Sequence, residues 1–170
     1  MNFRRLTVFL AVITLTAFPS SGSAKEGKAA KDPSALTIIR VQHEWRDASS
    51  FKRIAEYFDG QEHNGSEAIR RSHPETRSGY YFFVRIKNPG ALRPAQAALQ
   101  VVTSSSAQAV RYQFPVELKA GDTVFNIGLT GADWSDARLH PVAWKLEFID
   151  PAGQVIATEA SYLWEKPSTN

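Results

Sequence analysis

The sequence predicts an all-β protein, an antiparallel β-sandwich of about seven to eight strands with one short helix near the N-terminus. Three observations lead to this prediction. Several segments alternate apolar and polar residues, turn-forming motifs separate those segments, and only one segment has its apolar residues at helical spacing. Strands do not alternate with long helices, so the pattern argues against a parallel α/β sheet.

The first strand is predicted within residues 36–45. Its apolar residues Ile39, Val41 and Trp45 lie two or four positions apart, so we expect them to share the buried face of the strand. His43 has the same spacing and falls on the same face.

One short helix is predicted next, because Phe51, Ile54 and Phe58 recur at helical spacing and Gly60 provides a stop. Its apolar stripe is expected to cover an end or edge of a sheet, with charged residues facing outwards. A membrane-binding amphipathic helix is the alternative. A length of about nine residues with few basic positions makes that alternative the weaker one.

The clearest strand is Gly79–Asn88, which follows a short candidate strand at residues 67–72. It begins with a continuous aromatic and apolar run and then alternates with Arg85 and Lys87. The continuous run indicates burial on both faces, as in a central strand. Asn88-Pro89-Gly90 is expected to end the strand, since proline removes a backbone donor and glycine permits a turn.

Five further strands complete the predicted sandwich, at residues 97–103, 110–118, 125–129, 142–148 and 155–165. Strict alternation along residues 110–118 gives one buried and one solvent-facing side, and Pro115 places this strand at an edge or bulge. Asp150-Pro151-Ala152-Gly153 is a hairpin turn signal between the last two strands. Four residues of the final strand are expected to face inwards: Ile156, Ala160, Tyr162 and Trp164.

The loop at residues 130–141 supplies the main candidates for contact with a partner or ligand. Connections of this length are often functional, or they close the end of a core. Trp134 is the leading candidate, and the alternative is that its ring plugs the end of the sandwich. The complete set of candidate contact residues is Trp134, Asp133, Asp136, Tyr80 and Tyr81.

No sequence motif for catalysis, cofactor binding or metal binding is present. The chain has no cysteine, no His-Glu-x-x-His, no Gly-x-Ser-x-Gly and no glycine-rich phosphate loop. His43, His63 and His73, with two nearby glutamates, could converge on a metal in the fold, but their spacing along the chain does not favour a metal site. Asp133 and Asp136 lack the dense carboxylates of a calcium loop, and a local helix cap is the simpler role for Asp133. We therefore expect a non-enzyme without cofactor or metal. The open alternative is a glycosidase, because its two catalytic carboxylates are brought together by the fold and need no particular spacing in the sequence.

Residues 1–24 have the pattern of a signal peptide. Two arginines precede an apolar run over residues 6–18, and the small residues Gly22 and Ala24 indicate cleavage after Ala24. The apolar run of about 13 residues is shorter than the 20 or so that span a bilayer, so a permanent anchor is the weaker alternative. The expected organisation is a signal peptide at 1–24, a flexible tether at 25–35, the sandwich at 36–165 and a tail at 166–170.

Three segments carry a resemblance to known proteins. They are the Gly-Tyr-Tyr-Phe-Phe-Val run from Gly79, the Lys-Ala-Gly-Asp turn from Lys119, and the hairpin from Trp144 to Gln154. Together they resemble bacterial exported immunoglobulin-like or fibronectin-like domains, over residues 36–165. The resemblance implies an antiparallel immunoglobulin-like β-sandwich and no particular activity, because such folds carry many functions.

The charge balance limits the partners. The 170 residues include 20 Lys or Arg and 17 Asp or Glu, a net charge of +3, and loss of Arg4 and Arg5 with the signal peptide would leave +1. Such a balanced chain has no general attraction for nucleic acid or anionic lipid, and we expect no stable membrane insertion after cleavage. The sequence favours a periplasmic or secreted, non-catalytic binding or structural module, an accessory subunit of a cell-envelope protein assembly. The alternative is a carbohydrate or small-molecule binding module that uses the loop aromatics.

Overall fold

The computed structural model describes residues 35–63 and 68–165. Their strands are β1 (Thr37–Arg46), β2 (Ala68–Arg71), β3 (Gly79–Asn88), β4 (Arg93–Thr103), β5 (Ser106–Leu118), β6 (Gly121–Thr130), β7 (Pro141–Ile149) and β8 (Val155–Ala160). Two helical turns, α1 (Glu56–Asp59) and α2 (Tyr162–Glu165), and two 3-10 turns, Ser49–Phe51 and Gly131–Asp133, complete the described elements. The predicted signal peptide, the tether up to Ser34 and the tail lie outside the described residues.

The strands form two four-stranded sheets, in the orders β1-β3-β6-β2 (sheet 1) and β5-β4-β7-β8 (sheet 2). All described pairs are antiparallel except β2 with β6, which is parallel. Lettered as in an immunoglobulin domain, β1, β3 and β6 are strands A, B and E, and β5, β4, β7 and β8 are strands C′, C, F and G. The predicted all-β sandwich is confirmed. The short strand predicted at residues 67–72 is present as β2, but its parallel pairing with β6 departs from the predicted antiparallel arrangement.

The core lies between the two sheets and is built from the alternate residues of their central strands. Sheet 1 contributes Tyr80, Phe82, Val84, Ile86, Phe125, Ile127 and Leu129, and sheet 2 contributes Ala97, Leu99, Val101, Trp144, Leu146 and Phe148. The period-two pattern read from β5, β6 and β7 therefore identified their inward faces. The central position predicted for Gly79–Asn88 is confirmed, since β3 lies between β1 and β6. The edge position predicted from Pro115 is confirmed for β5.

The inward face predicted for the first strand is wrong at Ile39. The register of β1 against β3 shifts between Ile38 and Arg40, so Ile39 is an extra residue that lies about half exposed. Beyond this bulge, Val41 and Trp45 do pack against the core. A bulge adds one residue to the strand and so reverses which of the following residues face inwards, and an alternating sequence pattern does not reveal it.

The segment predicted as one covering helix is shorter and faces the other way. It contains the 3-10 turn Ser49–Phe51 and the four residues of α1. Ile54 and Phe58 point into solvent, whereas Glu56 is the buried residue of the turn. The carboxylate of Glu56 binds the guanidinium of Arg77 at 2.6 Å, and this ion pair orients the polar side of the turn towards the sheet.

The final strand ends earlier than predicted. β8 ends before Ser161, because the Trp144 N–H donates to the Ser161 hydroxyl instead of to a backbone carbonyl, although the Ser161 N–H still donates to the Trp144 carbonyl. The turn α2 follows, and Tyr162 is exposed rather than inward. Trp164 lies at the surface beside the ammonium of Lys145. Among the described residues, no helix has the length and apolar character needed to cross a membrane.

Candidate functional site

Trp134 closes one end of the sandwich. It follows the 3-10 turn Gly131–Asp133 and is only 2% exposed. Its ring packs on Tyr80 with 4.9 Å between centroids, and its Nε1 donates to the carbonyl of Leu139 at 3.2 Å. This is the position of the plug considered above, and a role of Trp134 in ligand contact stays a prediction.

The two loop carboxylates, Asp133 and Asp136, have different partners. Asp133 lies 3.3 Å from Nε2 of His73, while the N-cap of its turn is Thr130, without a side-chain cap bond. The local cap expected of Asp133 is therefore wrong. Asp136 accepts from the backbone and side chain of Arg138, and these hydrogen bonds lower the pKa of Asp136.

Tyr80 and Tyr81 lie on opposite faces of β3. Tyr80 faces the core beside Trp134, and Tyr81 is fully buried on the outer face of sheet 1. The five predicted contact residues thus do not form one surface. The possible convergence of His43, His63 and His73 is also not seen, since no metal-holding group of three ligands occurs in the described residues.

His43 is an exposed residue of β1 whose ring lies beside Tyr80. Its Nδ1 is hydrogen-bonded to the Tyr80 hydroxyl at 2.9 Å, and its ring contacts those of Phe82 and Trp144. Burial lowers the pKa of His43, and the nearby His140 lowers it further. The folded protein therefore favours the neutral imidazole.

We expect His43 to make stability depend on pH. The unfolded chain binds a proton at His43 near the ordinary pKa of 6.5, and the folded protein binds it only at lower pH. We expect the free energy of unfolding to fall as the pH drops below about 6.5, until the folded state is also protonated. Urea unfolding between about pH 7.5 and 5.5 measures this before carboxylates titrate. An unchanged pH dependence in His43→Gln would contradict it.

An ion-pair network covers the outer face of sheet 1, and sequence analysis missed it. The Tyr81 hydroxyl donates to the Arg77 carbonyl at 2.6 Å and accepts from Arg71 Nε at 2.9 Å. Arg71 also binds Glu62 through two nitrogens, at 2.6 and 3.1 Å. The bonds from Arg71 lower the pKa of Glu62. We call Glu56, Glu62, Arg71, Arg77 and Tyr81 the outer network.

The network fixes the long connection between β1 and β3 onto the sheet. Phe51 packs on Tyr81 with 4.5 Å between ring centroids. The guanidinium of Arg71 lies over the Phe51 ring, 5.5 Å from its centroid. The only sequence signal was the mixture of two acids and two arginines flanking an aromatic strand. Such a mixture usually marks a solvated surface.

β5 is an edge strand with exposed backbone. β5 pairs with β4 alone among the described strands, and its residues 106–111 are all exposed. Arg70 Nε of β2 donates to the Pro115 carbonyl at 2.9 Å, so this carbonyl points away from β4. The register is unbroken from Val110 to Leu118, so the backbone groups of Gln113 and Arg111 point to the same free edge.

The two halves of this edge differ in protection. In the C-terminal half, Pro115 has no N–H and its carbonyl is taken by Arg70. In the N-terminal half, residues 106–113 contain no proline, and Arg111 is the single charge. Natural edge strands are usually protected by charge, proline or covering segments. Residues 106–113 carry little of this protection.

A cleft of about 650 Å³ opens between the β2 and β5 edges. Its lining includes Arg70, Arg111, Tyr112 and Gln113 from the two edges, and also Asp133. A second groove of the same volume lies on the outer face of sheet 1, between Arg46, Phe51 and Phe83. The cleft lies directly beside the unprotected edge, so an added strand would have side-chain space next to it.

Comparison of the chain with protein-family models, with curated proteins and with solved structures found no match. The fold defines the class of the molecule, a β-sandwich domain with one added parallel strand. Its surfaces, rather than a relative, are what supports a function.

Proposed function

We propose that this chain is a non-catalytic, exported binding module, an accessory subunit of a protein assembly in the cell envelope. The observation that carries the proposal is the unprotected N-terminal half of the β5 edge. A partner in extended conformation would add a strand there by hydrogen bonds to the backbone of Arg111 and Gln113. Main-chain bonds supply affinity in this binding mode, and the adjacent cleft supplies side-chain selectivity.

The carbohydrate or small-molecule alternative has less support. It relies on Trp134, Tyr80 and Tyr81, and all three rings are buried. Stacking on a sugar requires an exposed aromatic face. The edge needs no rearrangement to bind, so the protein-binding proposal is preferred.

The variant Gln113→Pro tests the edge directly. The Gln113 N–H points away from β4, so proline removes a donor to the partner and no bond within the sandwich. Pro115 already occupies an equivalent position two residues along. We expect a near-native thermal midpoint together with a loss of partner affinity of roughly tenfold or more.

Gln113→Ser is the matched control, because it changes the same side chain and keeps the N–H. Each protein is tagged after Asn170, purified from its own cells in mild detergent and compared by quantitative mass spectrometry. A stoichiometric envelope protein should accompany wild type and Gln113→Ser but not Gln113→Pro. Absence of any such protein would sink the binding-module proposal, and retention by Gln113→Pro would sink the role of the edge alone.

A further inference from the structure

Three large apolar side chains project together from the turn around α1. Ile54, Tyr57 and Phe58 are 79%, 73% and 86% exposed. Their spacing of three and four residues places them on one side of a helical turn. We call these three residues the α1 knob. Scattered exposed apolar residues are ordinary, but a group on one turn indicates an interaction surface.

The knob stands on a fixed base. Glu56, on the other side of the same turn, binds Arg77 at 2.6 Å and accepts from the His63 N–H at 3.3 Å. Gly60 ends the turn in the left-handed conformation, and its N–H donates to the Glu56 carbonyl. The turn is therefore held by the outer network, and its conformation is set before any contact is made. Preorganisation of this kind lowers the entropic cost of binding.

The charges around the α1 knob favour contact with the headgroup region of a lipid surface. The two acidic residues of the turn have internal partners, Glu56 with Arg77 and Asp59 with His63 at 2.6 Å. The exposed Lys52 extends beside the knob, with its ammonium 5.6 Å from the centroid of the Tyr57 ring. A cation next to tyrosine, phenylalanine and isoleucine matches the boundary between lipid headgroups and acyl chains.

We propose that the α1 knob is a reversible docking site for an anionic phospholipid surface. Ile54, Tyr57 and Phe58 enter the interfacial region, and Lys52 pairs with headgroup phosphates. The net charge of the chain is close to balanced, so attraction is local and depends on direct insertion of the knob. This surface is separate from the β5 edge, so a molecule docked on lipid keeps the edge available to a partner.

Vesicle co-sedimentation tests the proposal. The protein is purified from its own cells with a tag after Asn170, and mixed with vesicles of phosphatidylglycerol and phosphatidylethanolamine or of phosphatidylcholine alone. We expect binding to the first, and a decrease of roughly tenfold in Phe58→Ser. Leu92→Ser is the matched control, because Leu92 is an exposed apolar residue outside the knob, and its binding should equal wild type.

A charge pair separates the headgroup contribution. Lys52→Gln should weaken binding about fivefold, and Lys119→Gln, at another exposed lysine, should not. All four substituted residues are exposed, so the variants are expected to keep the wild-type thermal midpoint. Failure of wild type to bind anionic vesicles, or equal binding by Phe58→Ser, would overturn the proposal. Either result would leave the knob to a protein partner.

Discussion

Replacing Arg71 with methionine is expected to lower the free energy of unfolding by about 2 to 3 kcal/mol. The Arg71 side chain is only 7% exposed and serves both Glu62 and the Tyr81 hydroxyl. Methionine fills a similar volume but leaves the Glu62 carboxylate without its main partner. We place the loss below that of a fully buried pair, because Glu62 is 26% exposed and keeps a 3.3 Å contact with Arg77.

Arg85→Met is the matched control for this prediction. Arg85 makes an ion pair of 2.8 Å with Asp122, but both side chains are exposed. Such pairs contribute about 0 to 1 kcal/mol, so the control should unfold close to wild type in urea. If Arg71→Met were as stable as Arg85→Met, the outer network would be a surface feature without a structural role.

Gly128→Ala should cost about 2 to 3 kcal/mol for a steric reason. Gly128 pairs with Tyr81 across β6 and β3, and a Cβ there would lie 2.5 Å from Cε1 of the Tyr81 ring. The ring cannot move aside, because its hydroxyl is bound to both Arg77 and Arg71. Either the ring or the strand must shift, and both shifts disturb close packing.

Gly90→Ala separates this clash from the general effect of replacing a glycine. A Cβ at Gly90 would come no nearer than 3.4 Å to the Asn88 side chain, and Gly90 lacks a positive φ. Thermal unfolding of the two variants and wild type supplies the comparison. We expect a clearly lower midpoint for Gly128→Ala alone. Equal midpoints would mean that Tyr81 is not fixed as described.

The sequence was most informative for strands that have one buried face and one solvent-facing side. Phe125, Ile127 and Leu129 alternate with polar or small residues, and their strand lies in the structure as expected. Pro115 marked an edge strand because proline lacks a ladder donor. These features depend on local rules of burial and hydrogen bonding, which a sequence displays directly.

Longer-range contacts decided the features that were not predicted. The knob around Ile54 faces solvent because Glu56 pairs with Arg77, a residue 21 positions along the chain. Tyr81 is buried because Arg71 and Phe51 cover its ring. No periodicity within one segment encodes such contacts, since they depend on where a distant side chain lies.

The candidate surfaces likewise separate into features that residue type suggests and features that only the fold determines. The aromatic candidates Tyr80, Tyr81 and Trp134 were chosen for residue type, and the structure buries all three. The edge at Arg111 and Gln113 has unremarkable side chains, and it is exposed because of strand order. Backbone availability is a property of topology, so composition carries little information about it.

The connection between β1 and β3 has a consequence for the order of folding. Arg46 and Gly79 are paired, although residues 47–78 lie between them, whereas β4 and β5 are joined by Ser104 and Ser105 alone. Closing a long loop costs more entropy, so non-local pairs form later than short hairpins. The β4–β5 hairpin is thus expected early, and the β1–β3 pair is expected after it. The Glu56–Arg77 ion pair joins two residues of that same connection, so the α1 knob is expected to become fixed to the sheet only after the β4–β5 hairpin has formed.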